Sequence, residues 1–537
     1  YILIMKIFQY LIGCVFFFIS CSEEKTKLTA PNIIWLVAED QSPEFLPMYG
    51  NLTVELPYLS GLAKDGIVFT NAYSPVPVCA PARSALISGL YPTSLGTHNM
   101  RTYNAYKKEN QPSIGIPNYS PPVPEGVKMF PQYLRANGYY TSNNAKEDYN
   151  FKKTDGVWDE SSSKAHWKNR KPSQPFFAVF NFGITHESQI WRQGDQPLLV
   201  KPKMLTVPPI FPDSPEVRKD LAVNYSNLIR LDKQIGKVIE QLKTEGLYEN
   251  SIIFFYGDHG GPFPRYKRAL YETGIKVPLI IKFTGQKNAV KTNHDFISFI
   301  DYAPTVLSLA GIKPPPVMQG KAQFGPYQVT EKSKFIYASS DRFDEQVDRL
   351  RAIRFGNLKY IRNFNLEISN AIPISYREQM PMMQQLNQLW EAQELELNAA
   401  AWFKVPKPIE ELYDLEQDPY ELKNLAGEIE FIDTLAFFRD RLDQWIVETQ
   451  DLGEYSEKEL INKWFPNGNP RVLSPLSNKV EAGKIYFNHS DEGATIVWKK
   501  TKDSVWSIYS EPLDFLNSIE AKAVRIGYDD SPILTFN

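Results

Sequence analysis

Residues 250–261 read NSIIFFYGDHGG: an unbroken run of β-branched and aromatic side chains that stops at Asp258 and His259, followed by two glycines. A run apolar at every position and too short for a helix predicts a strand buried on both faces. PNIIWLVAED, residues 31–40, repeats the design and ends in Glu39 and Asp40. QPFFAVFNFGITHE at 174–187 is a third such strand with His186 just beyond it, and KVPLIIKF at 276–283 is a fourth. In open α/β sheets, sites gather at the carboxyl ends of the strands, so these polar residues are expected to share one edge of a sheet.

Between the strands lie helical patterns. From Glu216 to Leu247 the apolar residues Leu221, Tyr225, Leu228, Leu231, Ile235, Val238 and Leu242 recur at steps of three and four, which predicts one long amphipathic helix. Strands alternating with helices imply an α/β fold, a mostly parallel sheet covered on both faces. With 537 residues, 43 % of them hydrophobic, the chain can bury a large core and is expected to form one large domain plus something smaller. The pattern changes at VPKPIEELYDLEQDPYELKNLAG, from Val405. Beyond a loop-like FPNGNPRVLSPLSN, the segments KIYFNH, ATIVWKK and AVRIGY predict a small β-rich tail. The expected organisation is a main domain over 31–330, a C-terminal α+β subdomain over 331–463 and a β module over 464–537.

The first twenty residues are expected to lie outside the fold. Lys6 is followed by IFQYLIGCVFFFIS, shorter than the roughly 20 residues of a membrane-spanning helix but suited to the core of a signal peptide. That run ends at Cys21 before a polar SEEKTK, which resembles a bacterial lipoprotein signal: cleavage after residue 20, a lipid on Cys21 and a linker over 21–30. The alternative is an ordinary cleaved signal with an incidental cysteine. The lipoprotein reading places the chain outside the cytoplasm, anchored by lipid to the outer membrane, cell surface or periplasmic face. A net charge of -3, from interspersed acidic and basic residues, gives no bulk attraction to nucleic acid.

Of the three cysteines, Cys14 leaves with the signal and Cys21 carries the lipid, so Cys79 is alone in the mature chain and has no internal disulfide partner. Free cysteines are usually small buried hydrophobes. The setting of Cys79, PVPVCAPARSALISGLYP at 75–92, points elsewhere: Pro81 suits a first helical turn and Gly89 ends the element. Cys79 is thus placed at a helix N-terminus, which favours an anion, and Arg83 falls on the same face one turn later, able to hold that anion or a modified cysteine.

CAPAR at 79–83 fits the CxPxR signature of the type I, formylglycine-dependent sulfatases, and the surrounding NAYSPVPVCAPARSALISGLYPTSLGTHNMR resembles that family throughout. The resemblance continues in order: PNIIWLVAEDQSP and FFYGDHGG are similar to its two metal strands, NGYYTSNNAKEDYN to its catalytic lysine segment and KRALYETGIKVPLI to a second lysine segment. FISFIDYAPTVLSLAGI is similar to the helix that follows, and ELYDLEQDPYELKNLA to the C-terminal subdomain. AEDQSP and NNAKEDYN resemble most closely the heparan N-sulfatase-like members.

The resemblance implies an alkaline-phosphatase-like fold, a mixed, mainly parallel sheet sandwiched by helices, and a sulfuric ester hydrolase acting on a sulfated polysaccharide, with ulvan-type algal glycans among the candidates. It implies that a formylglycine-generating or sulfatase-maturating enzyme oxidises Cys79 to formylglycine, whose hydrate attacks sulfur with one hydroxyl and expels sulfate through the other. It also implies a calcium ion on Asp40, Asp258, an oxygen of converted Cys79 and Glu39, a set whose hard oxygens suit calcium. His259 departs from the more usual asparagine and is taken either as a metal ligand or as a sulfate contact. Glu39 departs from the usual aspartate. Lys146 and Lys267 resemble the sulfate-binding lysines, with Arg268 able to exchange roles with Lys267. His186 resembles the residue that protonates the leaving oxygen. Asp148 stands where the family often has histidine, and its role is left between a base, a substrate-hydroxyl contact and a subfamily marker. The other readings are a sulfamidase, a carbohydrate-binding lipoprotein with a dead site, and a phosphatase of the same superfamily.

Overall fold

The computed structural model describes residues 30–103, 114–285, 291–515 and 518–536. Cys21 and the signal segment lie outside the described residues. The central sheet comprises β1 (Asn32–Ala38), β2 (Ile67–Tyr73), β3 (Tyr140–Asn144), β4 (Glu160–Ser161), β5 (Phe176–Phe182), β6 (Ser251–Gly257), β7 (Lys276–Lys282), β8 (Lys291–Asn293) and β9 (Ile297–Ser298), the long apolar runs forming β1, β5, β6 and β7. The strand order is β4-β3-β5-β1-β6-β7-β2-β8, with β9 also pairing β2. Every pair is parallel except those made by β7, which runs against β6 and β2. The sheet is therefore mixed and mainly parallel.

Strand β1 shows why these runs lack alternation. Ile34 and Leu36 point into one apolar cluster, Ile33, Trp35 and Val37 into another on the opposite face, and all five are buried. The helix Pro215–Thr244 covers the first face through Leu221, Leu228, Leu231 and Ile235. Helices Cys79–Ser88 and Tyr302–Leu309 cover the second through Leu86, Ile87, Val306 and Leu307. Val238, expected on the buried stripe, is half-buried, and Ile239 is buried next to it.

A second, antiparallel sheet follows: β10 (Phe335–Phe343), β11 (Gln346–Phe355), β12 (Leu358–Asn363) and β13 (Glu410–Asp414). The helix Ile432–Glu448 packs on it, Phe438 stacking on Tyr360 and Trp445 on Tyr337. From Ser477 to Phe536 the chain forms two small antiparallel sheets. KIYFNH and ATIVWKK are strands there as expected, whereas AVRIGY leaves its strand at Val524. Among the described residues no helix is long and apolar enough to cross a membrane.

Candidate active site

Four neighbouring parallel strands, in the order β3-β5-β1-β6, deliver the predicted residues to one edge. β1 runs into Glu39 and Asp40, β6 into Asp258 and His259, β3 toward Lys146 and β5 toward His186. Cys79 is the first residue of a helix that is buried along its whole length, and Gly89 ends that helix in the left-handed region at φ 76°. Asp40 also takes a left-handed backbone, φ 51°, which aspartate tolerates better than bulky residues do. Its amide donates to Asp258 Oδ1 at 3.0 Å, tying the ends of β1 and β6 together. Gly257 makes this approach possible, since a Cβ there would stand 2.7 Å from the carbonyl oxygen of Gln41.

Asp40, Cys79, Asp258 and His259 form a buried cluster in which one ligand atom from each lies within 4.8 Å of the others. His259 donates its Nδ1 hydrogen to the carbonyl of Gly260 at 3.0 Å, so the neutral ring presents the Nε2 lone pair. That atom is 3.2 Å from Cys79 Sγ, 3.2 Å from Asp40 Oδ1 and 3.7 Å from Asp258 Oδ1. Electron-pair donors converging in this way need a cation among them, and the set fits a divalent metal. In the bare chain a proton takes that part: burial opposes it, but Asp258, Cys79 and Asp40 raise the His259 pKa to about 10. Burial pushes the Cys79 thiol up, and Lys146 and Lys267 more than reverse this, bringing it down to about 6.

Glu39, expected among the ligands, stands outside this group. Its Oε2 is 3.0 Å from Lys146 Nζ and its Oε1 3.9 Å from Arg83 Nη2, so the longer arm carries its charge past the cluster to the two cations. Arg83 also differs from its expectation. Rather than reaching for Cys79, its Nε and Nη2 donate to Asp258 Oδ2 at 3.2 and 3.0 Å, and its Nη1 donates to Asn181 Oδ1 at 2.7 Å. One helical turn carries the guanidinium from the helix N-terminus to the end of β6.

Lys267 is almost completely buried, its Nζ 2.8 Å from Asp40 Oδ2, 3.0 Å from Glu187 Oε1 and 3.2 Å from His186 Nε2. Its pKa is held well above the ordinary lysine value, because Asp40, Cys79 and Glu187 outweigh the cost of burial. Arg268 is committed elsewhere: it forks onto Glu187 at 2.8 and 2.9 Å and donates to Asp344 at 2.9 Å. His186 lies between two donors, the Ser188 amide 3.2 Å from its Nδ1 and the charged Lys267 Nζ 3.2 Å from its Nε2. Asp148 lies 3.8 Å from Lys146 Nζ. His98 is buried beside Asn99.

Glu187 and Asn181 belong to the site without having been singled out by sequence. Glu187 receives Lys267 and Arg268 while its amide donates to Asp40 Oδ2 at 2.7 Å. Asn181 links Arg83 to the Lys146 segment through Asn143 and Asn144. A lone asparagine within the apolar run FFAVFNF was the available signal.

Comparison with known proteins gives this geometry a family. Residues 31–312 match the sulfatase family, and residues 257–375 match the C-terminal region of N-sulphoglucosamine sulphohydrolase. An ulvan-active sulfatase of Formosa agariphila is 40% identical, over 93% of this chain and 90% of that protein. Human N-sulphoglucosamine sulphohydrolase is 24% identical, over 78% of this chain and 90% of its own length. Among solved structures, a 2-O GAG sulfatase superposes with a TM-score of 0.57 at 18% identity, over 79% of this chain and 93% of that one. A protein solved with its substrate D-glucosamine-2-N,6-O-disulfate gives 0.56 at 16%, covering 79% and 98%. The two structures show the shared fold; the family match and the 40% identical relative show that the chain belongs to the sulfatase family.

Proposed function

We propose that the chain hydrolyses sulfate esters on a sulfated polysaccharide or oligosaccharide, with Cys79 converted to formylglycine and a calcium ion held by Asp40, Asp258 and His259. The observation that carries this reading is the convergence of His259 Nε2, Asp40 and Asp258 on Cys79. The metal would supply positive charge against the anionic ester, and formylglycine, as its hydrate, one hydroxyl to attack sulfur and another through which sulfate departs.

The chain's own residues do the rest. Lys146 and Lys267 flank Cys79 and stay charged, which suits a clamp on the negative charge that grows on the sulfuryl oxygens. Arg83 holds Asp258 ionised: burial opposes this, and the charges of His259 and Arg83 bring its pKa down to about 2. His186, whose Nε2 lies 3.2 Å from Lys267 Nζ at the edge of the site, is the acid assigned to the leaving sugar oxygen. Glu39, with Lys146 at 3.0 Å, positions that lysine.

The glycan reading rests on the 40% identical ulvan-active relative and makes an ulvan-type algal polysaccharide the leading substrate. Neither a sulfamidase nor a dead carbohydrate-binding lipoprotein is favoured over it. A formylglycine-generating or sulfatase-maturating enzyme is the partner this reading requires. A lipid anchor on Cys21, with export to the outer membrane, completes it from the sequence alone.

The test is sulfate release from a panel of sulfated oligosaccharides, together with mass spectrometry of the Cys79 peptide. Aldehyde at Cys79 and release from O-sulfated sugars are expected. An unmodified thiol in active protein, or no release from any sulfate ester or sulfamate, would overturn the proposal.

A further inference from the structure

Arg101 is a cation at the mouth of the site that the chemistry just described does not use. It follows the buried segment Thr97–Met100 in a left-handed conformation, φ 52°. Its nearest charged partner is Asp148, with Nε 4.0 Å from Oδ1, too far for a hydrogen bond. No described residue accepts a hydrogen bond from its guanidinium, so the planar fork of donors is unsatisfied. Asp344, the other carboxylate close enough to raise the pKa of Arg101, is held by Arg268 at 2.9 Å.

Asp148 stands between this arginine and the reaction centre. Its Oδ2 is 3.8 Å from Lys146 Nζ and is buried without a hydrogen-bond partner, on a residue whose backbone is also left-handed, φ 50°. Arg101, Tyr103, Lys146, Asp148 and Tyr149 line one open pocket of about 600 Å³. The lining of this pocket thus joins Lys146 to a guanidinium whose one ion-pair partner among the described residues is Asp148 at 4.0 Å, with no hydrogen bond between them. Room of this size suits a sugar ring. The side chain of Arg101 is 31% exposed, so a ligand can reach it.

We infer that Arg101, positioned by Asp148, is a specificity-determining residue that binds a second anionic group of the glycan, a carboxylate or a further sulfate, near the sulfate held at Cys79. The inference rests on the sulfatase reading and narrows its substrate class to glycans with an anionic group close to the cleaved ester. Arginine suits the role because its fork pairs with two oxygens at once, and such a pair outside the reacting group adds to selection among substrates.

The experiment compares kcat/KM on a sulfated uronate-containing oligosaccharide with that on its carboxyl-reduced counterpart, and on a disulfated saccharide with its monosulfated counterpart. Each pair is run with wild type, Arg101→Ala and Arg101→Lys. Wild type is expected to favour the more anionic member of one pair by about 10- to 100-fold, which identifies carboxylate or sulfate as the group bound. Arg101→Ala should collapse that ratio to within about threefold, mainly through KM, and Arg101→Lys should fall between. The inference is overturned if wild type treats both members of both pairs alike, or if neither variant changes the ratio. Failure of wild type to release sulfate from any of the four would instead sink the activity on which the inference rests. Should Arg101→Ala fold poorly, Arg101→Lys alone decides, because it keeps the charge and loses the fork.

Discussion

His259 Nε2 and Cys79 Sγ face each other at 3.2 Å, with the carboxylates of Asp40 and Asp258 on the same imidazole nitrogen. Such a pairing is unfavourable for a neutral histidine and favourable once a cation joins it. A divalent ion should therefore stabilise the native chain measurably. At a concentration 100 times its dissociation constant the gain is about 2.7 kcal/mol. Calcium added to chelator-treated protein should raise Tm by several degrees and restore sulfate release, while His259→Ala should shrink the Tm response. A Tm indifferent to calcium, with activity surviving chelation, would remove the metal from the mechanism.

The pairing of Arg83 with Asp258 is expected to be structural as well as catalytic. Both side chains are buried, so removing Arg83 takes from Asp258 the cation that forks onto it and leaves His259 as its near positive charge. Breaking a buried pair in this way costs about 3–5 kcal/mol. Arg83→Met should lower the urea midpoint accordingly, and the double variant Arg83→Met/Asp258→Asn should lose much less than the sum of the singles. Additive losses would mean the two residues act independently.

The strands of the central sheet and the residues at their ends were legible in the sequence for a common physical reason. A parallel strand buried on both faces has no polar position to spare, so Asp40, Asp258 and His186 stand out at the points where the apolar run stops. The partners within the site were not legible in this way. Whether Arg83 turns to Cys79 or to Asp258, and whether Glu39 turns to a metal or to Lys146, depends on side chains that meet across 107 to 175 positions of sequence. Spacing on one helix does not encode that choice. Glu187 was hidden for the opposite reason: it follows a histidine that already explained the local motif.

Asp220 should make the stability of the fold depend on pH. It is 1% exposed on the helix Pro215–Thr244, where burial raises its pKa from 3.8 to about 7, against the opposing pull of the Met382 amide that donates to it at 2.8 Å. The native state then holds one more proton than the unfolded chain between about pH 4 and 7, so this group's contribution falls as pH rises through that window. At roughly 1.4 kcal/mol for each pH step crossed, the change is on the order of a few kcal/mol. Urea midpoints taken from pH 4 to 8 should decline more steeply in wild type than in Asp220→Asn, which keeps an acceptor for Met382 without the charge. Parallel declines would place the titration elsewhere.

If His186 is the acid that protonates the leaving sugar oxygen, the effect of removing it should depend on how basic that oxygen is. His186 Nε2 lies 3.2 Å from Lys267 Nζ, which also donates to Asp40, so that edge of the ring faces the reaction centre. An alkoxide leaving group requires such an acid, whereas a nitrophenolate departs without one. His186→Ala should accordingly reduce kcat on sugar sulfates by about 10²- to 10⁴-fold, the usual reach of general acid catalysis. On an activated aryl sulfate the loss should be far smaller, and the slope of log kcat against leaving-group pKa should steepen in the variant. Equal losses on sugar and aryl sulfates would show that His186 binds the sulfuryl group instead of protonating the oxygen that leaves.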